Sequence, residues 1–143
     1  MNRELKFRIW DKKNNMFIYV WDASHKRLAI SLNGLVYSGK YDDVLPENDY
    51  TIQQYTGLKD KNEKEIYEGD IVKALPATRY GMGIDQGQHD YMLLRTPKIV
   101  LYKDCLFKLF DKNDITSMNY CIDNNVEIIG NIFETPELIE TNE

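Results

Sequence analysis

The sequence predicts a mostly β protein of one domain, whose short strands curl into a small barrel or roll and end in a single helical turn. Three observations carry this. Apolar and polar residues alternate with period two in several segments, as half-buried strands require. Clusters of Gly, Asn, Asp and Pro separate those segments. No stretch has the 3.6-residue periodicity of a long amphipathic helix. At 143 residues the chain is long enough for one domain with a sizeable core. Hydrophobic residues make up 43% and charged residues 29%, a globular rather than a disordered composition.

At the start, Leu5, Phe7 and Ile9 alternate with Lys6, Arg8 and Trp10, predicting a half-buried strand. Asp11 to Asn15 is a polar turn, and Met16 to Trp21 returns as the second strand of a hairpin. Leu28 to Leu32 and Leu35 to Tyr37 flank Asn33-Gly34, a dipeptide that accepts positive φ at both central positions of a two-residue turn. Tyr41 to Asp49 is acidic, contains Pro46 and reads as a loop. Thr51 to Thr56 is strand-like, and Gly57 to Glu65 holds an alternating-charge tract expected to be a fully solvated turn.

Glu68-Gly69-Asp70 leads straight into the β-branched strand that follows. There the glycine allows the bend and the aspartate can accept local amide hydrogen bonds. Residues 76–97, with Gly81, Gly83, Gly87 and a proline at each end, are expected to be a mobile loop. Ile99 to Tyr102 and Leu106 to Phe110 form a further hairpin. Val126 to Phe133 is the last strand, and Pro136 opens the terminal helical turn. The barrel is expected from Asp70–Leu75, Lys98–Lys103, Leu106–Phe110 and Val126–Phe133.

Three blocks bracket nearly the whole chain. The first is Lys6-Phe7-Arg8-Ile9-Trp10-Asp11. The second runs from Gln54-Tyr55-Thr56-Gly57-Leu58-Lys59-Asp60-Lys61-Asn62 into Glu65-Ile66-Tyr67-Glu68-Gly69-Asp70-Ile71-Val72. The third is Ile129-Gly130-Asn131-Ile132-Phe133-Glu134-Thr135-Pro136-Glu137-Leu138. Together they resemble the YopX family of phage and prophage proteins. The resemblance implies an SH3-like small barrel over 57–140 with a 76–97 loop insertion, preceded by N-terminal β-hairpins over 1–56. These form a single domain, 1–143, with a short C-terminal helical turn. It implies no activity. One position departs from the family pattern: a glycine usual after the Lys-Asn of the middle block is Glu63 here. Either Asn62 takes the left-handed conformation in its place or the turn type differs.

Charge is uneven along the chain. The net charge is −5, yet residues 1–27 carry seven cations against three acids and residues 111–143 carry one cation against eight acids. Arg3, Arg8, Lys12, Lys13 and Arg27, with Trp10 and Trp21 interleaved, form a candidate surface for nucleic acid or another partner. Opposite charge at the two ends also suits a homo-oligomer.

Recognisable chemistry is sparse. Nucleophile elbows, phosphate-cradling loops, dinucleotide fingerprints and metal-binding helices are absent from the sequence. Gly81 to Gly87 has neither the strand before it nor the helix after it that a nucleotide loop needs. His89 with Asp85 or Asp90 has no nucleophile nearby in sequence, and Glu68 with Asp70 suits turn chemistry better than a paired-carboxylate site. Cys105 and Cys121 suit small buried thiols, and with His25 and His89 they give no zinc-site spacing. No apolar run is long enough to span a membrane, and the N-terminal residues lack the apolar centre of a signal peptide.

The expectation is therefore a phage or prophage accessory protein in the cytoplasm of its bacterial host. It would be a non-enzymatic protein-interaction module without cofactor, engaging a phage or host protein. The alternative is nucleic-acid binding through the basic N-terminal hairpin.

Overall fold

A computed structural model describes residues 4–19, 28–31, 33–38, 43–74, 97–103, 106–110, 115–117 and 126–140. The fold is mostly β, with one lone α-helix among those residues. Two compact units are distinguishable, Met1–Tyr55 and Thr56–Glu143.

In the first unit, strand β1 (Phe7–Asp11) pairs antiparallel with β2 (Met16–Tyr19) on one side and with β6 (Tyr50–Lys59) on the other. The register sets Ile9 opposite both Ile18 and Ile52. Ile9, Ile18 and Val36 form the core here, with Ile30, Leu45, Tyr50 and Ile52 packed against it. The expected half-buried first strand is corrected by this arrangement. Every residue from Arg8 to Asp11 is buried, so β1, which runs between β2 and β6, is buried on both of its faces.

Strands β3 (Leu28–Ile30), β4 (Val36–Ser38) and β5 (Asp43–Val44) make a small three-stranded sheet. The β3–β4 turn is not the expected two-residue type. Ser31 N–H donates to the Leu35 carbonyl and Gly34 N–H to the Ser31 carbonyl, closing a three-residue loop with Gly34 at φ +84°. The segment expected to be a loop before Asp49 also differs. Asp43–Val44 pairs with β4, and a 3-10 turn, Glu47–Asp49, follows Pro46.

In the second unit, β7 (Glu65–Tyr67) is the neighbour of β6. A five-stranded sheet then runs in the order β11-β10-β9-β8-β12. Its strands are β8 (Asp70–Ala74), β9 (Lys98–Lys103), β10 (Leu106–Phe110), β11 (Ile115–Ser117) and β12 (Val126–Asn131). β8, β9, β10 and β12 lie where they were expected. β11 was not anticipated, since its three residues offer one apolar side chain. Ile66, Val72, Val100, Leu109 and Val126 form the core, flanked by Leu58, Phe107 and Ile128. Helix α1 (Glu137–Glu140) follows Pro136. The 76–97 insertion lies, apart from Pro97, outside the described residues.

The alternating-charge tract is a turn, as expected, but it is not wholly solvated. Asp60 is fully buried within it. The positive φ falls on Glu63, at +61°, rather than on Asn62. Glutamate thus adopts the left-handed conformation for which the family's glycine is suited.

Candidate functional site

The basic-aromatic surface read from the sequence is only partly assembled. Arg3, Trp21 and Arg27 lie outside the described residues. Arg8 and Trp10 come together, but inward. Arg8 is 6% exposed and Trp10 5%. The Arg8 guanidinium carbon sits 4.2 Å from the Phe17 ring centre, and its Nε donates to Gln53 Oε1 at 2.7 Å. Trp10 packs on the same Phe17 ring, centroid to centroid 4.8 Å. Cross-strand pairing explains the cluster, because Trp10 lies opposite Phe17 and Arg8 opposite Gln53. A ring so placed offers no face on which a base could stack.

Lys12 and Lys13 do project from the β1–β2 turn. Lys12 Nζ donates to the Asn48 carbonyl at 2.9 Å. The turn is built by Asp11, whose Oδ1 accepts the N–H groups of Lys13 and Asn14 at 3.1 and 3.0 Å. Asn14 Nδ2 donates to the other carboxylate oxygen. This is an Asx turn of the kind short polar side chains form. Beside it, burial above all pushes the Tyr50 hydroxyl above its ordinary 10.0, with the negative charges of Asp11 and Asp49 adding to the rise.

Two further buried carboxylates organise the second unit. Asp60 Oδ1 accepts the N–H groups of Asn62 and Lys64 at 2.8 and 2.9 Å, and its Oδ2 accepts Ile128 N–H at 3.2 Å. Lys61 N–H donates to the Val126 carbonyl, so the β6–β7 turn is stitched to β12. Asp70 Oδ2 accepts Tyr67 N–H at 2.8 Å, the local bond expected of the Gly-Asp turn. Its Oδ1 accepts Asn131 Nδ2 at 3.1 Å. Asn131 in turn accepts Phe133 N–H on its side-chain oxygen, and Thr135 Oγ1 accepts Asn131 N–H.

The third sequence block has its physical reason here. A Cβ on Gly130 would lie 2.0 Å from Thr135 Oγ1 and 2.7 Å from Leu138 Cδ1, so the strand and the turn to α1 can approach only at glycine. A β-bulge between Ile128 and Gly130 sits at the same point. The Asp70–Asn131 pairing carried no sequence signal beyond both residues falling in those blocks.

All three carboxylates hold backbone amides. Among the described residues no group of three His, Cys, Asp or Glu side chains is placed to hold a metal ion. His25, His89, Asp85, Asp90, Cys105 and Cys121 lie outside the described residues. No described helix is long and apolar enough to cross a membrane.

One outward feature was not foreseen. Tyr102 is 48% exposed and Leu106 60% exposed at the turn end of the β9–β10 hairpin. Val100, two residues from Tyr102, and Leu109, three residues from Leu106, are fully buried. Tyr102 packs edge-tilted on Phe107, opposite it in register, with ring centres 5.0 Å apart. The face that buries Val100 and Leu109 therefore runs out into solvent at Tyr102, while Leu106, opposite Lys103 in register, is exposed on the other face of the hairpin.

Comparison with known proteins bears on the whole chain. No curated protein matches it. Its structure is similar to the crystal structure of protein EF1440 from Enterococcus faecalis, with a TM-score of 0.57 and 27% identity, covering 96% of this chain and 99% of that one. It is similar in fold to protein yopX from Bacillus subtilis, with a TM-score of 0.57 and 20% identity, covering 93% of this chain and 96% of that one. The family described as YopX protein matches residues 6–140. The chain belongs to the YopX family.

Proposed function

We propose that this protein is a non-enzymatic interaction module, of phage or prophage origin, that acts on a phage or host protein in the bacterial cytoplasm. The observation that carries the reading is the exposed tip of the β9–β10 hairpin. There the large apolar side chains of Tyr102 and Leu106 are exposed, one on each face of the hairpin, within three residues of the buried Val100 and Leu109. Aromatic side chains in that setting are the usual anchors of protein contacts. The commitment of Asp11, Asp60 and Asp70 to backbone amides agrees with a scaffold rather than a reaction centre. The second unit belongs, in this reading, to an SH3-like barrel. The stitching of residues 60 and 61 to β12, and the bulge that bends β12, support closure.

The test is affinity capture from phage-bearing cells with the wild-type protein and with a Leu106→Glu variant, followed by mass spectrometry. A partner recovered in stoichiometric amount by the wild type and lost with the variant is expected. Equal recovery by both would refute the reading. Self-association accompanies this proposal, and light scattering that finds only the 16.8 kDa monomer at micromolar concentration would remove it.

A further inference from the structure

We propose that Asn33 is a site of spontaneous chemical modification in the folded protein, deamidated through a cyclic imide closed by the Gly34 amide nitrogen. The geometry of the β3–β4 loop carries this. Asn33 and Gly34 are both exposed at its tip. Gly34 sits at φ +84° with nothing within 4 Å of where a Cβ would be, so the residue that supplies the attacking nitrogen brings no bulk of its own and is open on that side. Ser31 Oγ donates to Asn33 Oδ1, the oxygen of the carbonyl under attack. The serine is held in place by Leu35 N–H, which donates to its Oγ at 3.1 Å. A hydroxyl so placed stabilises negative charge as it develops on that oxygen.

The step balances without any oxidant or reductant. A bond forms between Gly34 N and Asn33 Cγ, the bond between Asn33 Cγ and Nδ2 breaks, and ammonia leaves with the amide proton. Water then opens the imide on either side. One product is aspartate. The other is isoaspartate, in which the main chain runs through Cβ and the loop is one methylene longer. Either product makes the protein one unit more negative.

Two features oppose the attack. Gly34 N–H donates to the Ser31 carbonyl at 2.9 Å, and this bond must break first. The Ser31 hydroxyl also lies 3.2 Å from the Leu35 carbonyl, a competing acceptor. A loop tip as exposed as Asn33 and Gly34 opens locally at little cost, and the contact between Ser31 and Asn33 spans only two residues. Asn14, Asn48 and Asn62 are also exposed, but Asn15, Asp49 and Glu63 follow them and bring a side chain against the nitrogen.

The experiment incubates the full-length folded protein at mildly alkaline pH and body temperature, and follows each asparagine by peptide mapping and mass spectrometry. Asn33 is expected to convert first, with isoaspartate as the main product. Ser31→Ala should slow the conversion severalfold, Ser31→Thr should retain it, and circular dichroism should confirm that both variants are folded. Conversion of Asn14, Asn48 or Asn62 at the rate of Asn33 overturns the site. Equal rates in the wild type and Ser31→Ala overturn the role of the serine. If Ser31→Ala fails to fold, the ranking of asparagines in the wild type still decides the proposal.

Discussion

Asn131 Nδ2 donates to Asp70 Oδ1 at 3.1 Å, joining residues 61 positions apart, and each of the two is only 2% exposed. The bond ties the start of β8 to the end of β12. Truncating either partner strands the other in a dry environment. Asp70→Ala also leaves the Tyr67 amide without its carboxylate, and should destabilise the protein by about 2–4 kcal/mol. In a urea-denaturation cycle with Asn131→Ala, the two changes should couple by more than ~0.5 kcal/mol. Additive effects would show that the bond contributes nothing of its own.

Gly130→Ala should be costly for a different reason. The added methyl overlaps Thr135 Oγ1 and Leu138 Cδ1, so the turn before α1 must shift. A loss of about 1–3 kcal/mol is expected from overpacking. Leu138→Ala on the same background should recover part of it, and no recovery would place the strain elsewhere.

Glu63→Gly should stabilise the protein. A left-handed glutamate is strained by roughly 1–2 kcal/mol, partly offset by the extra freedom glycine gains in the unfolded chain, leaving a net gain of about 0.5–1 kcal/mol. The ion pair with Lys59, 3.4 Å long and well exposed, is too weak to reverse the sign. A lower denaturation midpoint in Glu63→Gly would contradict this.

Tyr50 gives an alkaline dependence. Its hydroxyl titrates above the ordinary 10.0 in the folded protein, so the unfolded chain ionises first as pH rises. The contribution to stability is complete below that ordinary value and is lost as pH climbs through the folded one. Tyr50→Phe should flatten the fall in stability at alkaline pH. Difference absorbance between the two proteins should show a tyrosinate transition displaced upward.

Nucleic-acid binding can be tested where cations remain exposed. Lys12→Glu with Lys13→Glu changes the β1–β2 turn, whereas Arg8→Glu would disturb buried packing and confound the result. No complex with single-stranded DNA is expected at physiological salt. A complex that weakens about tenfold or more between ~50 and ~200 mM salt and disappears in the double variant would instead favour the nucleic-acid reading.

Much of the strand placement was legible because runs of apolar and β-branched residues between turn signals report local geometry, as in β8, β9, β10 and β12. The alternation read in β1 assumes one wet face, however, and it misplaces a strand buried on both faces. Trp10 and Arg8 read as surface residues for that reason, yet Phe17 and Gln53 on neighbouring strands enclose them. Asp60 was hidden in another way. Its neighbours in sequence are solvated, and its burial follows from β12, which lies 68 residues away at Ile128. The Tyr102 and Leu106 tip was missed because an apolar residue in a strand pattern is read as core by default.

The burial of Asp60 bears on protein engineering. Residues 61–64 are exposed and polar, which would ordinarily recommend them for inserting an epitope or a fluorophore peptide. But one carboxylate oxygen spans the amides of Asn62 and Lys64, and the other reaches β12, so the length of the turn is fixed even where its sequence is not. An added residue would pull the donors away from a buried charge. The permissive appearance of this loop is misleading, and a tag placed there would report on misfolding rather than on location.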